Sequence, residues 1–507
     1  MDVGRFLVIL LVSFGFASCS RILGVFPYFG KSHFSVFQPL MEELAKRGHQ
    51  VTVFSYFPRE TPLDNYTDVV IPPEIGTVGF LEMGEIESTS YTAVAKLGGL
   101  HYLRERGKNT VDAPGLKILE KMEFDLSIIE LFNTDVFYPL LYKIGAPVVG
   151  ITSHSIINWH QGYFANPDSP SVVPTVLSAY SDKMSLPERF CNTMDYYISL
   201  LVHRWFFLPQ DQALAEKRFG KIPPIEEMTR NTTLLLANTH FSLFRSRPIS
   251  PSIVEVGGIH VKEPKPLPEK LQKVLDESKG VIYFSMGSVL KGDSMSMNKQ
   301  KAFIKVFSEL KQTVLWKRET PLEEKVNNIV TNGWFPQRDI LAHPKVQLFI
   351  SHGGLLSTNE AVTSGVPMVV VPMFGDQHHN AKALESIGFA VSVDFNSLTE
   401  DDLRQAVNKV LNDPSYKENA RKTKEAFLDR PMSPLDTAVY WVEYVIRHKG
   451  APHLRSAARD MTWYQYHNLD VYASLALMAY FAYLIVKNIL KFLLGLCCGR
   501  VNKHKTE

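Results

Sequence analysis

Residues 346–361 have the sequence VQLFISHGGLLSTNEA, in which a buried strand, a glycine turn and a helix follow one another directly. The turn is His352-Gly353-Gly354, and glycine allows backbone amides to approach a ligand closely because it has no Cβ. The helix offers unpaired N–H groups and a favourable dipole, and Ser357 is expected to cap it and to donate to a phosphate oxygen. This stretch therefore predicts a phosphate site at the carboxyl end of a strand.

Two neighbouring segments carry the other groups that a nucleotide ligand needs. Residues 334–343, WFPQRDILAH, supply Trp334 as a flat face for a base and Gln337 as an amide for the base or ribose. The next strand, PMVVVP, is followed by Asp376 and Gln377. Because the carboxyl ends of parallel strands line one edge of a sheet, we expect all these groups to converge on the glycine turn.

The same alternation of strands and helices extends outward in both directions. Residues 280–288, GVIYFSMGS, begin the second half with a strand that leads to Ser288 on the same edge. The first half opens with RILGVFPYFG, an amphipathic helix and VTVFSY, which is the order of a βαβ unit. A proline-rich segment, Lys262–Lys270, separates the halves. The sequence predicts an α/β protein with two doubly wound, Rossmann-like domains, residues 21–261 and 262–450, facing a cleft.

Apolar segments at both ends are predicted to lie outside this fold. Residues 1–20 combine Arg5, an apolar run and small residues, as a secretory signal does. Residues 470–494 form an apolar stretch long enough to span a bilayer, after a juxtamembrane segment at 451–469. The basic tail, residues 495–507, is expected to be cytosolic. A signal and one span predict a type I protein of the endoplasmic reticulum membrane with luminal domains.

The composition of the chain limits which partners it can bind and bears on the compartment in which it resides. The formal net charge is +2 without a basic stripe, so nucleic acid is not expected as a partner. Cys191 is the one cysteine predicted to be luminal, so no intrachain luminal disulfide is expected. Sequons begin at Asn65 and Asn231, and Lys503 and Lys505 resemble a dilysine retrieval signal.

The run from residue 334 to residue 377 resembles the signature of the UDP-glycosyltransferase family, the microsomal animal type with a two-Rossmann GT-B fold. The likeness extends over essentially the whole chain, because the leader, linker and membrane tail match as well. It implies that the first domain binds an acceptor and the second a UDP-sugar. The residues that carry the signature are Trp334, Pro336, Gln337, His343, Phe349, His352, Gly353, Gly354, Glu360, Gly365, Pro367, Pro372, Asp376 and Gln377.

The resemblance also implies roles within the donor site. Trp334 would stack on uracil, Glu360 would bind the ribose hydroxyls, and Asp376 and Gln377 would bind sugar hydroxyls. The polar groups around the glycine turn would hold the pyrophosphate. Many relatives have asparagine where this chain has Leu356, which leaves that one contact in question. The implied donor-site residues are Ser288, Trp334, Gln337, His352, Gly354, Ser357, Glu360, Asp376 and Gln377.

The first domain is expected to supply the general base. Alone, a loop histidine such as His33 would be a surface residue, but the family likeness makes it the base that deprotonates the acceptor hydroxyl. Attack opposite to the departing UDP would invert the anomeric configuration. A carboxylate should stand behind the imidazole. The resemblance favours Asp135, counting from the strand favours Glu130, and both alternatives remain open.

Other classes of function fit the sequence less well. The GxGxxG fingerprint of a nicotinamide enzyme is absent after the first strand, and an epimerase would need neither a luminal tether nor a large acceptor loop region. A catalytically silent binder of lipophilic ligands is a further alternative, which His33 and its nearby acid disfavour. No metal and no tightly bound cofactor are expected.

The predicted reaction is therefore transfer of a hexose from a UDP-sugar to small lipophilic hydroxyl acceptors, for detoxification or metabolite conjugation. Asp376 and Gln377 suit neutral hydroxyls, and the chain resembles the insect branch, so UDP-glucose is favoured over UDP-glucuronate. The sequence leaves the acceptor's identity open, and a homo-oligomer is compatible with it.

Overall fold

The structure, a computed structural model, describes residues 19–75, 93–167, 169–288 and 290–501. Residues 1–18 of the predicted leader and residues 502–507 of the predicted tail lie outside this range. The described chain forms two compact units, one ending at Arg455 and one beginning at Ser456. The first unit contains both sheets.

The first sheet has seven parallel strands in the order β3-β2-β1-β4-β5-β6-β7. Almost every residue of its inner strands is buried, as expected where helices cover both faces of a parallel sheet. The strands are β1 (Arg21–Phe26), β2 (Gln50–Ser55), β3 (Tyr66–Val70), β4 (Leu126–Glu130), β5 (Val148–Thr152), β6 (Thr232–Ala237) and β7 (Ile253–Glu255).

Helices of varied length connect these strands. A five-residue π-helix, His203–Phe207, joins the helices Leu186–Val202 and Leu208–Phe219. The α-helices are α1 (Lys31–Lys46), α2 (Ala93–Gly107), α3 (Gly115–Leu119), α4 (Tyr138–Ile144), α5 (Asn158–Gln161), α6 (Leu186–Val202), α7 (Leu208–Phe219), α8 (Ile225–Thr229) and α9 (Phe241–Phe244).

The second sheet has six parallel strands in the order β10-β9-β8-β11-β12-β13. The prediction of two parallel, doubly wound sheets is thereby confirmed. The strands are β8 (Val281–Ser285), β9 (Thr313–Lys317), β10 (Ile329–Asn332), β11 (Val346–Ser351), β12 (Met368–Val370) and β13 (Ala390–Ser392). The helices that follow the first sheet are α10 (Glu269–Glu277), α11 (Met297–Ser308), α12 (Gln337–Leu341), α13 (Leu355–Ser364), α14 (Gln377–Ser386), α15 (Glu400–Asn412), α16 (Pro414–Leu428) and α17 (Pro434–Arg447).

Helix α17 returns to the first domain. Its side chains Val439 and Val442 are fully buried and belong to the apolar cluster that includes Ile22 of β1 and Phe37 of α1. The sequence placed this helix in the second domain, but its buried side packs against the first. An amphipathic pattern predicts that one helical face is buried, but it does not specify against which sheet.

The second unit contains α18 (Trp463–Tyr466) and α19 (Leu469–Val501). Within α19, the 28 residues Leu469–Leu496 are long and apolar enough to cross a membrane, and the most apolar window is not buried in protein. At 1.5 Å per residue this segment is about 42 Å long, which exceeds a hydrocarbon core of about 30 Å.

The packing of α17 can be tested by truncating one of its buried side chains. We expect Val442→Ala to lower the free energy of unfolding by roughly 2 kcal/mol, because it removes two buried methyl groups and leaves a cavity against the first sheet. Tyr440→Ala, at a 41% exposed position of the same helix, is the control and should change stability little. The midpoint of thermal unfolding measures both, and equal losses would contradict the packing described here.

Candidate functional site

The carboxyl ends of three adjacent strands build the site in the second domain. Strands β8, β11 and β12 lie side by side and parallel, so the loops after them open on one edge. These loops carry Ser288, the glycine turn at 352–354, and the pair Asp376 and Gln377. The structure therefore brings together the polar groups that the sequence placed at this edge.

The glycines of this edge are required by close packing around His352. A Cβ atom on Gly287 or on Gly354 would lie 2.6 or 2.5 Å from an atom of the imidazole ring. Gly353 has a φ of +83°, and a Cβ there would lie 2.6 Å from Val370 Cγ1. The backbone at Gly287 and Gly354 thus lies so close to His352 that only glycine fits at these two positions.

Helix α13 begins directly after this turn, but its cap differs from the prediction. Its N-cap is Gly354, and no side chain forms a cap hydrogen bond, so the expectation that Ser357 caps the helix is wrong. The helix starts at Leu355, and Ser357 lies in its first turn. Among the residues that the structure describes, no side chain caps the N–H groups that a phosphate would use.

Three polar side chains form a hydrogen-bonded group beside the start of α13. Gln337 Nε2 donates to Glu360 Oε2 at 2.6 Å and to Ser357 Oγ at 3.0 Å. Burial raises the pKa of Glu360, and the bond from Gln337 opposes that shift. Trp334 precedes this group and is 71% exposed, so its indole is open to a planar ligand.

Asp376 and Gln377 are held by the start of α14. Asn380 Nδ2 donates to Asp376 Oδ2 at 2.9 Å and to the carbonyl oxygen of Gly353 at 3.0 Å, which ties two loops of the edge together. The amide oxygen of Gln377 accepts from the backbone of Met373 at 2.8 Å. Gln377 is therefore left with its amide nitrogen as a donor for a ligand.

The sequence analysis did not identify two residues that contribute to this edge, Lys317 and Asn380. Lys317 is the last residue of β9, and its charge, together with burial, which is the larger cause, lowers the pKa of His352 to about 4. His352 is therefore neutral at physiological pH. The position of Lys317 at a strand end was visible in the sequence, whereas that of Asn380 depends on the register of α14.

The candidate base lies at the matching edge of the first sheet. His33 is in the first turn of α1, directly after β1, and Glu130 is the last residue of the adjacent strand β4. His33 Nδ1 lies 2.5 Å from Glu130 Oε1 and 2.9 Å from Ser153 Oγ. An ionised carboxylate can only accept, so Nδ1 carries the proton and Nε2 is the nitrogen free to take one.

Aromatic side chains surround this imidazole. The rings of Tyr28 and Phe132 lie 4.4 and 4.9 Å from the ring of His33, centroid to centroid. Burial and the charge of His33 lower the pKa of the neighbouring His154 to about 3. Apart from Glu130 and Ser153, the surroundings of the candidate base are therefore largely aromatic.

Asp135 is not part of this contact. It is 3% exposed, accepts a hydrogen bond from Tyr163 Oη at 2.8 Å and lies 2.9 Å from His203 Nε2. Burial alone would raise the pKa of Asp135, but the bond to His203 holds it below its usual range. In this structure Glu130, and not Asp135, is the carboxylate that contacts His33.

Hydrogen bonds also link the two edges. Asn359 of α13 donates through Nδ2 to Asn238 Oδ1 at 3.2 Å, and Asn238 donates to the carbonyl oxygen of Ser153 at 2.9 Å. Burial raises the pKa of Asp376, and the charge of His33 acts against that shift, so these two groups interact across the cleft. Leu356, at the position of the family's asparagine, packs against the apolar cluster of the first domain.

No group of three or more His, Cys, Asp or Glu that could hold a metal occurs among the residues described here. The donors at the second edge are neutral amides, hydroxyls and one imidazole, with Lys317 as a cation and Asp376 and Glu360 as carboxylates. This set suits a ligand with a phosphate, sugar hydroxyls and a planar base.

Comparisons with known proteins agree with this geometry. The family model described as UDP-glucoronosyl and UDP-glucosyl transferase matches residues 120–504. The chain is 41% identical to UDP-glycosyltransferase UGT5 of Dactylopius coccus, over 96% of this chain and 95% of that protein. It is 38% identical to UDP-glucosyltransferase 2 of the same organism, over 94% of this chain and 93% of that protein.

More distant matches extend the same pattern. Identity to UDP-glucuronosyltransferase 2A3 of Mus musculus is 34%, over 94% of this chain and 92% of that protein. Among solved structures, spinosyn forosaminyltransferase SpnP matches with a TM-score of 0.57 at 18% identity, covering 85% of this chain and 100% of that chain. The latter likeness concerns the GT-B fold alone. The chain therefore belongs to the UDP-glucoronosyl and UDP-glucosyl transferase family and is a UDP-glycosyltransferase.

Proposed function

We propose that this enzyme transfers a hexose, with glucose as the favoured sugar, from its UDP carrier to a hydroxyl of small lipophilic acceptors, with inversion at the anomeric carbon. The observation that carries the proposal is the contact of His33 with Glu130, placed within electrostatic range of Asp376. His33, the proposed base, thus lies on one side of the cleft, and Asp376, the carboxylate proposed to bind the sugar, lies on the other.

In the proposed reaction His33 Nε2 takes the proton of the acceptor hydroxyl. The acceptor oxygen forms a bond to the anomeric carbon while the bond from that carbon to the phosphate oxygen breaks, and UDP leaves with the electron pair. Glu130, hydrogen-bonded to Nδ1, stabilises the imidazolium that results. The N–H groups at the start of α13 and the hydroxyl of Ser288 would stabilise the charge on the leaving diphosphate.

The donor site follows from the groups on the second edge. Trp334 would stack on uracil, Gln337 and Glu360 would bind the base or ribose, and Asp376 and Gln377 would bind the sugar. His352 is neutral, so it would act on the diphosphate as a hydrogen-bond donor and not as a charge. Gly354 and Ser357 complete the phosphate contacts.

Glucose is favoured over glucuronate for two reasons. A carboxylate such as Asp376 accepts hydrogen bonds from neutral hydroxyls and would repel the carboxylate of glucuronate. A similar relative is named a UDP-glucosyltransferase. The aromatic surroundings of His33 suit an apolar acceptor, and conjugation of lipophilic compounds for detoxification is the role that follows.

The proposed location is the membrane of the endoplasmic reticulum, with the catalytic domains luminal. The apolar helix Leu469–Leu496 supports a single span. Asn65 and Asn231, which begin the two sequons, are both exposed and therefore accessible to luminal glycosylation.

The donor and the reaction can be tested together with membranes that contain the full chain. UDP-glucose and UDP-glucuronate are offered in parallel with a mixed phenol panel, and products are measured by mass spectrometry beside His33→Ala. We expect a hexose adduct that the variant fails to form. A glucuronide would instead identify the other donor, and binding of UDP-glucose without any product from any phenol would favour the silent binder.

The identity of the carboxylate can be tested by two isosteric substitutions. We expect Glu130→Gln to lower kcat by about 100-fold or more with the KM for UDP-glucose nearly unchanged, because the amide no longer stabilises the imidazolium. Asp135→Asn should change kcat only a few-fold, since Asp135 contacts His203 and Tyr163.

Binding of UDP, measured by calorimetry, serves as the folding control for both variants. A large loss of kcat in Asp135→Asn with UDP binding intact, beside an active Glu130→Gln, would reverse the assignment. If both variants bind UDP and both retain kcat, neither carboxylate assists the base.

The stacking role of Trp334 has a separate test. Base–aromatic stacking contributes roughly 1–3 kcal/mol, so Trp334→Ala should raise the KM for the UDP-sugar by about 5- to 150-fold. Trp334→Phe should restore most of the affinity. Trp463→Ala, at another exposed tryptophan, is the control. An unchanged KM in Trp334→Ala would remove the stacking interaction from the proposed site.

A further inference from the structure

The loop after β5 places a second imidazole beside the proposed base. His154 is 6% exposed, and its ring lies 6.1 Å from the ring of His33, centroid to centroid. The ring of Phe132 packs against both imidazoles, at 4.9 Å from His33 and 5.2 Å from His154. The proposed transfer of the hexose makes no use of His154, so its place beside the base needs a separate explanation.

The hydrogen bond of His154 to the backbone assigns the position of its proton. Nδ1 lies 2.7 Å from the carbonyl oxygen of Ser155, and a carbonyl oxygen can only accept, so Nδ1 carries the hydrogen and donates it. Burial, the larger cause, and the charge of His33 lower the pKa of His154 to about 3, so the ring is neutral near pH 7. Nε2 of this tautomer has a lone pair that can accept a hydrogen bond and cannot donate one.

This lone pair has no donor within the protein. In the part of the chain that the structure describes, no group donates to His154 Nε2, and the atom is buried. Oγ of Ser155, the next hydroxyl along the chain, is buried and unpartnered among the same residues, so it does not supply the hydrogen. Most buried acceptors in folded proteins are paired, because an unpaired one is costly, and Nε2 therefore calls for a donor from outside the chain.

The proposed base lies at the open side of this group of rings. The side chain of His33 is 20% exposed, whereas Phe132 and His154 are both buried. An acceptor hydroxyl that reaches Nε2 of His33 therefore enters beside His33. The 6.1 Å between the two imidazole centres is within the length of one substituted aromatic ring, so the same small molecule can contact His154 as well.

Both free ring nitrogens accept hydrogen, so one hydroxyl cannot satisfy the two of them. In the proposed reaction the reacting hydroxyl gives its only hydrogen to Nε2 of His33. Nε2 of His154 therefore needs a second donor on the same molecule. The rings of Tyr28 and Phe132, at 4.4 and 4.9 Å from the ring of His33, favour an aromatic body for the molecule that carries both groups.

We propose that Nε2 of His154 accepts a hydrogen bond from a second hydroxyl of the acceptor, and that this bond selects aromatic diols over phenols with one hydroxyl. The inference rests on the proposed function and names the class of acceptor. A buried acceptor atom discriminates between such compounds because an analogue that lacks the hydrogen leaves the atom unpaired in the complex. His154 is then a residue that determines specificity, while His33 takes the proton.

The test compares acceptors that differ in one hydrogen-bond donor, in membranes that contain the full chain and with UDP-glucose as the donor substrate. Catechol and resorcinol are each offered beside their monomethyl ethers, which keep the oxygen and lose the hydrogen. We expect kcat/KM for at least one diol to exceed that of its ether by about 5-fold or more, after allowance for the two equivalent hydroxyls of the diol. No preference in either pair would overturn the proposal.

Substitutions of His154 separate the hydrogen bond from the shape of the ring. His154→Phe keeps a flat ring against Phe132 and removes the lone pair, so the preference for the diol should fall to about 2-fold or less. His154→Gln should restore part of the preference, because its amide oxygen can accept. The matched control is His160→Phe, at a second buried histidine of the domain whose Nδ1 has no partner among the described residues, and it should keep the preference.

Binding of UDP, measured by calorimetry, confirms that each variant is folded, and His154→Leu takes the place of His154→Phe if the latter does not bind UDP. A diol preference that persists in the folded variant without the lone pair would assign the selectivity to other groups and reject the proposal. If no acceptor is converted, the proposed function fails by itself. Calorimetric titration of each diol and ether in the presence of UDP then makes the same comparison without turnover.

Discussion

The parallel pairing of β1 with β4 is the constraint on which the geometry of the candidate catalytic site depends. Strand β1 leads into α1 and its first-turn histidine, and β4 ends at Glu130. Their register, in which Ile22 pairs with Leu126 and Val25 with Ile129, brings both chain exits to one edge at the same height. An imidazole and a carboxylate separated by 97 residues then meet at hydrogen-bond distance. The second sheet repeats the arrangement, with β8 and β11 paired so that Gly287 and His352 pack against each other.

Much of this arrangement could be predicted because it depends on short-range pattern. Strand runs, glycine turns and the rule that parallel strands end on one edge were sufficient to group His352, Asp376 and Gln377. The carboxylate that contacts His33 could not be assigned in this way. Glu130 and Asp135 lie five residues apart, and the choice between them is made by His203 and Tyr163, whose positions follow from helices elsewhere in the domain.

Two other differences between the sequence-based predictions and the structure have the same physical origin. The side of a helix that is buried can be inferred from periodicity, but the surface that covers it depends on the path of the chain, as the return of α17 to the first sheet demonstrates. The cap of α13 is decided by the backbone conformation of Gly354, with a φ of −60° and a ψ of 140°, and not by the nearest hydroxyl. Ser357 is consequently free of a capping role and bonds to Gln337 instead.

The buried asparagines connect these separate constraints into one. Asn238 is fully buried and lies between Ser153, which contacts His33, and Asn359, which is on the helix that also carries Ser357 and Glu360. A buried amide that loses a partner costs about 1–3 kcal/mol, so the hydrogen bonds of Asn238 favour a single relative placement of α13 and the loop after β5. Ser153 is within that loop and holds the nitrogen of His33 that faces Glu130. The orientation of His33 is therefore coupled, through polar contacts in the core, to the position of α13, the helix proposed to bind the donor.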